Sequence, residues 1–130
     1  MWKSKNTYTM RPIPQKLRNE LENDIFYKRC CVTGEPIGKV HIEWHHNFIF
    51  ANKQVNERWC ILPLWDEVHK IEKTKKVKER LNWIMLNRAT DKELEKYSRV
   101  IDLKWERDRL NKQFGIWQNS KHYIPYGELT

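Results

Sequence analysis

Residues 40–46, "VHIEWHH", constrain the fold more than any other stretch of the chain. Val40, Ile42 and Trp44 alternate with His41, Glu43 and His45, the period-two pattern of a strand with one buried face. Gly34, Pro36 and Gly38 in "CCVTGEPIG" mark a turn before it. The strand ends at an adjacent pair, His45 and His46, and a third histidine, His69, follows in "DEVHKIEK". That segment reads as a helix with Asp66 as N-cap and His69 in its first turn. Between them, "NFIFANKQVNERW" reads as a loop, with a short second strand near residues 48–50 or 59–62. The run Ile61-Leu62-Pro63-Leu64 looks like the entry to the helix. The order is strand, loop or strand, then helix.

Both flanks read as mainly helical. Residues 1–14 carry Pro12 and Pro14 with no period and suggest an extended arm, whose Lys3, Lys5 and Arg11 could touch phosphates or simply fray. Leu17, Leu21 and Ile25 then fall four apart, the spacing of one helical face, with Pro14 suited to the first turn. Val77, Leu81, Ile84 and Met85 form a second stripe. Thr90 with Glu93 fits a capping box, opening a helix through Leu94, Tyr97, Ile101, Trp105, Leu110 and Phe114 that stops at Gly115. Trp44, Trp65, Trp83 and Trp105 fall on apolar stripes, which favours core packing over base stacking. The aromatic tail after Gly115 has no period, and His122 within it is expected in solvent.

The length of 130 residues suits one domain, and no apolar run is long enough to span a membrane. The N-terminus lacks an apolar h-region, so an intracellular, cytoplasmic location is expected. Cys30, Cys31 and Cys60 make an odd count that argues against a disulfide framework. Gly34 stands where a second knuckle cysteine would, which argues against structural zinc. Lys and Arg outnumber Asp and Glu by 25 to 17, and the resulting net charge of +8 favours a polyanionic partner.

Adjacent strand residues point to opposite sides. A His-His pair can therefore aim one imidazole at a cation and the other at a water, and a ligand on the next helix can close the site. The "EWHHNFIF" start and the "WCILPLWDEVH" end, with the gap between them, resemble the HNH endonucleases of the ββα-metal superfamily. The resemblance covers about 40 residues, Cys31 to Glu72. It implies an α+β fold: an N-terminal arm and helix over 1–29, a ββα-metal module over 30–73, and a helical C-terminal extension over 74–130. It also implies a metal-dependent DNA endonuclease of the small autonomous kind that suits a phage or mobile-element context. His46 becomes the general base, and His45 and His69 the ligands of one divalent metal ion. Family practice points to Mg or Mn, whereas two imidazoles favour Zn or Ni. Water deprotonated by His46 would attack phosphorus, leaving 5′-phosphate and 3′-hydroxyl ends.

The chain departs from the family pattern in three places. Trp65 and Val68 occupy the positions of two zinc-knuckle cysteines, so apolar packing is expected to replace that staple. Cys60 stands where the middle Asn commonly sits, leaving Asn56 or Asn52 to brace the site, with Asn56 counted among the catalytic residues. Lys73 stands where some relatives have a third ligand. Glu43 could orient a ligand or form a plain surface pair, and His41 is expected at the surface or behind the ligands. Lys70, Lys73, Lys75, Lys76, Lys78 and Arg80 form a basic run that could track a DNA backbone or be a solvated helix face. Rival readings are a non-catalytic nucleic-acid-binding protein and a structural zinc protein using His41, His45, His46 and His69. Monomer and homodimer both remain open.

Overall fold

The computed structural model describes residues 9–118 and 121–130. Helix and strand are mixed, as the α+β expectation requires. In chain order the helices and strands are α1 (Gln15–Glu22), β1 (Ile42–His46), β2 (Ile49–Phe50), β3 (Lys53–Gln54), β4 (Ile61–Trp65), α2 (Asp66–His69), α3 (Lys75–Arg88), α4 (Asp91–Lys96) and α5 (Leu103–Phe114). Strands β1 and β4 pair antiparallel with His45 opposite Leu62 and His46 opposite Ile61. Strands β2 and β3 form a separate hairpin. Its turn residues Ala51 and Asn52 have φ of 53° and 63°, the left-handed geometry of a tight two-residue hairpin turn.

The β1–β4 ribbon divides the core in two. Leu62 and Leu64 join a large cluster with Val68, Val77, Leu81, Ile84, Leu94 and Leu110. Ile61 joins a smaller one with Leu21 and Tyr27, against which Trp44, Ile13 and Leu17 pack. Paired residues share a face. His45 and Glu43 therefore lie on the α2–α3 side, and His46 and Trp44 on the α1 side.

Several expectations change on the structure. Ile61–Leu64 is strand rather than helix entry. An edge position tolerates Pro63 because its missing N–H faces no ladder, and its carbonyl accepts from Cys31 N at 2.9 Å. Asp66 is the first helical residue rather than the cap, which falls on Trp65 without a side-chain bond. Ile25 does not continue the α1 stripe; the helix ends at Glu22 and Ile25 is 82% exposed. There Asp24 accepts from Phe26 N and starts a 3-10 turn, Ile25–Lys28. The long C-terminal helix is two helices. The Thr90–Glu93 capping box opens α4, but Ser98 accepts from Leu103 N and donates to Leu94 O, and Asp102 recaps the chain as α5. That break turns Ile101 and Trp105 outward, at 58% and 62% exposure, whereas Trp83 is buried and Trp44 and Trp65 are partly buried.

The C-terminal tail is packed. His122 is only 6% exposed, with Nδ1 and Nε2 each 2.7 Å from a carbonyl, those of Gln118 and Cys31. Ile124 N donates to Val32 O, and Tyr126 rests on Trp65 at 5.4 Å between rings. Cys30, Cys31 and Val68 are buried in the large cluster, with Trp65, Ile124 and Tyr126 packed against it. All three cysteines are free. Aromatic and aliphatic contacts thus hold Cys31, Trp65 and Val68 together. No helix among the described residues is long and apolar enough to cross a membrane.

Candidate active site

Three histidines flank the β1–β4 ribbon, His45 and His69 on one face and His46 on the other, and each has one ring nitrogen set against an oxygen. His46 Nε2 lies 2.7 Å from Asn56 Oδ1. His45 Nε2 lies 3.1 Å from Asn47 Oδ1. His69 Nδ1 lies 2.6 Å from a Glu43 carboxylate oxygen. The two amides cannot be turned around freely. Asn56 Nδ2 donates to the Pro12 carbonyl at 2.9 Å, and Asn47 Nδ2 donates to Asn82 Oδ1 at 3.0 Å and to the Met85 thioether, which can only accept, at 3.3 Å. Their oxygens must face the imidazoles, so His45 and His46 carry the proton on Nε2 and the lone pair on Nδ1. Glu43 only accepts, so His69 carries its proton on Nδ1 and presents Nε2.

The ribbon register and α2 bring His45 and His69 together, with ring centroids 5.1 Å apart. Glu72, one turn beyond His69, lies 3.5 Å from His45 Nε2. His45 has a pKa lowered to about 4, first by burial and then by the charge of His69, against the opposing hydrogen bond it donates to Asn47 Oδ1. At neutral pH it is uncharged, so its contact with Glu72 is not an ion pair, and its lone pair is available to a cation. His41 is exposed and its Nε2 lies 3.6 Å from Glu43, behind His69 as a surface residue.

The donors suit a divalent cation in kind: two imidazoles and a carboxylate, with Glu43 behind one imidazole. In arrangement they face one another, and among the described residues no three His, Cys, Asp or Glu groups converge as a cation cage. His45 and His46 lie on opposite faces of β1, so the four-histidine structural zinc site is not assembled.

Asn56 is the amide that reaches His46. Asn52 sits in the hairpin turn, and Cys60 is a buried thiol pushed to a high pKa mainly by burial. Asn47 and Glu72 belong to the site although neither was expected there. The "HHN" adjacency and the i+3 spacing from His69 are the sequence signals that could have found them.

The basic run is only partly open. Lys70 pairs with Glu67 at 3.0 Å, Lys76 Nζ donates to the Glu128 carbonyl, and Arg80 is half-buried over the Phe114 ring at 4.6 Å. Lys73, Lys75 and Lys78 are exposed. The chain matches no protein-family model, no curated protein and no solved structure.

Proposed function

We propose that the chain is a metal-dependent DNA endonuclease of the HNH, ββα-metal kind, with residues 30–73 as its module. One observation carries this reading: His46 ends a strand with Nε2–H held by Asn56 and Nδ1 left as a base, while the neighbouring His45 turns to the opposite face and meets His69. A hydrolytic site needs a base of fixed tautomer beside a place for a cation, and the histidine pair separates those tasks by the strand's alternation.

In this reading His46 Nδ1 takes a proton from water. The new bond joins the water oxygen to phosphorus, the bond from phosphorus to the 3′-oxygen breaks, and that oxygen acquires a proton from solvent. His45 and His69 would hold one divalent ion, Mg or Mn by family practice and Zn or Ni by the imidazole donors. Its chemistry would be to stabilise charge on the phosphoryl and leaving oxygens. Glu43 orients His69, and Asn47 orients His45. The start of α3 supports a polyanionic partner. Thr74 turns its hydroxyl to the Ile71 carbonyl instead of capping, and Lys75 and Lys76 occupy the first turn, where the helix dipole disfavours cations unless an anion is bound.

The test is nicking of supercoiled plasmid by wild type and His46→Ala, in EDTA and with Mg, Mn, Zn or Ni restored. Metal-dependent nicking by the wild type, reduced about 10²–10⁴-fold in His46→Ala, supports the assignment. Equal DNA binding by both proteins with no cleavage under any metal replaces it with a non-catalytic binding module.

A further inference from the structure

The arm that precedes α1 is stitched to the β2–β3 hairpin. Thr9 bridges Lys53 in parallel register, Thr9 N donates to Asn52 O at 2.6 Å, and Gln54 N donates to Thr9 O at 3.0 Å. Arg11 N donates to Oε1 of the buried Gln54 at 2.9 Å. Ile13 then packs on the small core beside Leu21 and Tyr27. Between these anchors the Pro12 carbonyl accepts from Asn56 Nδ2, and it is this bond that turns the Asn56 oxygen toward His46.

From this geometry we infer that residues 9–13 are a positioning element of the site: docking of the arm fixes the Asn56 amide and, through it, the tautomer of His46. The physics is that of a two-state amide. A side-chain amide has similar shape either way round, so only its partners decide which end faces a neighbour. With Pro12 in place, the amide nitrogen has an acceptor and the oxygen must take the His46 Nε2–H. With the arm released, the amide can rotate and present its NH₂ to Nε2. The imidazole would then move its proton to Nδ1, the nitrogen needed as base, and the base would be blocked. Thr9, Pro12 and Gln54 thus act on His46 without touching substrate. Their role in cleavage rests on the nuclease reading, but their control of the tautomer does not.

Long-range ¹H–¹⁵N NMR of the full-length protein, at about pH 8 where imidazoles are ordinarily neutral, reads the tautomer directly. The His46→Ala spectrum assigns the His46 signal. The wild type should show His46 protonated at Nε2. Thr9→Pro combined with Gln54→Met removes one N–H and one acceptor that seat the arm, and should shift His46 toward the Nδ1–H form. Asn56→Leu, at a half-exposed position, removes the acceptor without supplying a donor, so it should relax His46 from the Nε2–H form alone to the tautomer mixture of a free imidazole and speed exchange of the Thr9 and Arg11 amides. Plasmid nicking should fall roughly tenfold to a hundredfold in both. A His46 tautomer unchanged in these variants overturns the inference, whatever happens to cleavage. If the tautomer responds but the wild type cuts nothing with any metal, the nuclease reading fails and takes the positioning role with it. If the wild type cuts and the tautomer does not respond, only the arm's control of His46 fails.

Discussion

Tyr27 is the side chain through which the N-terminal segment grips the histidine ribbon, and Tyr27→Phe tests that grip. Its ring is 2% exposed, and its hydroxyl lies 2.7 Å from the Ile61 carbonyl and 2.8 Å from that of Arg58. Arg88 Nη1 approaches the same hydroxyl at 3.0 Å. Burial pushes the phenol up to about 12, so it remains a donor throughout the neutral range. Loss of the hydroxyl removes a hydrogen bond worth about 1 kcal/mol and strands a buried acceptor for about another 1 kcal/mol. The Arg58 carbonyl keeps Arg88 Nη1 at 3.2 Å, and Arg88 keeps the Phe26 ring at 3.8 Å, which limits the damage. We expect a destabilisation of about 2 kcal/mol, measured by urea unfolding followed through tryptophan fluorescence with an unchanged m-value. Arg88→Met in the same background should show a coupling of at least about 0.5 kcal/mol with Tyr27→Phe. A loss under about 0.5 kcal/mol, with no coupling, would refute the idea that this hydroxyl ties Ile61 and the α1 side of the ribbon together.

Further outcomes follow from other parts of the structure. In EDTA, His45 has a native pKa near 4, below the unfolded value of about 6.5, so between those values the unfolded chain binds more protons. Its contribution, on the order of 3 kcal/mol, is complete above about pH 6.5 and is lost as pH falls toward 4; His45→Gln should flatten the urea-midpoint profile there, and parallel profiles would show that His45 is not buried neutral. Gly34 has φ +80° and an added Cβ would meet the Tyr123 ring at 2.8 Å, so Gly34→Ala should lower stability by about 2 kcal/mol; a melting temperature equal to wild type would mean the tail does not seat on this turn. His122→Leu should cost about 2 kcal/mol by stranding the buried Cys31 carbonyl, an outcome that a solvent-exposed His122 would not produce in a calorimetric melt. Trp105→Gln should stay within about 0.5 kcal/mol of wild type, since a large loss would place that ring in the core after all.

What the chain determines locally was legible in its residues. The β1 strand, the Thr90–Glu93 capping box, the Val77–Leu81–Ile84–Met85 stripe and the Gly115 stop rest on interactions within a few positions, so spacing alone reveals them, although β1 is half-buried on both faces rather than buried on one. The His45–His46 pair at a strand end is legible for the same reason, since alternation sends the two rings to opposite faces. Other features required the folded chain. A short apolar run with a proline can open a helix or form an edge strand, and only pairing with β1 made Ile61–Trp65 a strand. Ser98 and Asp102 could sit in a continuous helix, but their side chains compete for backbone groups and split it in two. His122 is buried because Cys31, 91 positions away, supplies a carbonyl. Asn56 takes its orientation from Pro12, 44 positions away, and Glu72 meets His45 only because α2 folds back on β1. Periodicity carries which face a residue occupies. It does not carry which distant oxygen awaits an imidazole on that face, because that partner is set by long-range packing of the whole ribbon, arm and tail.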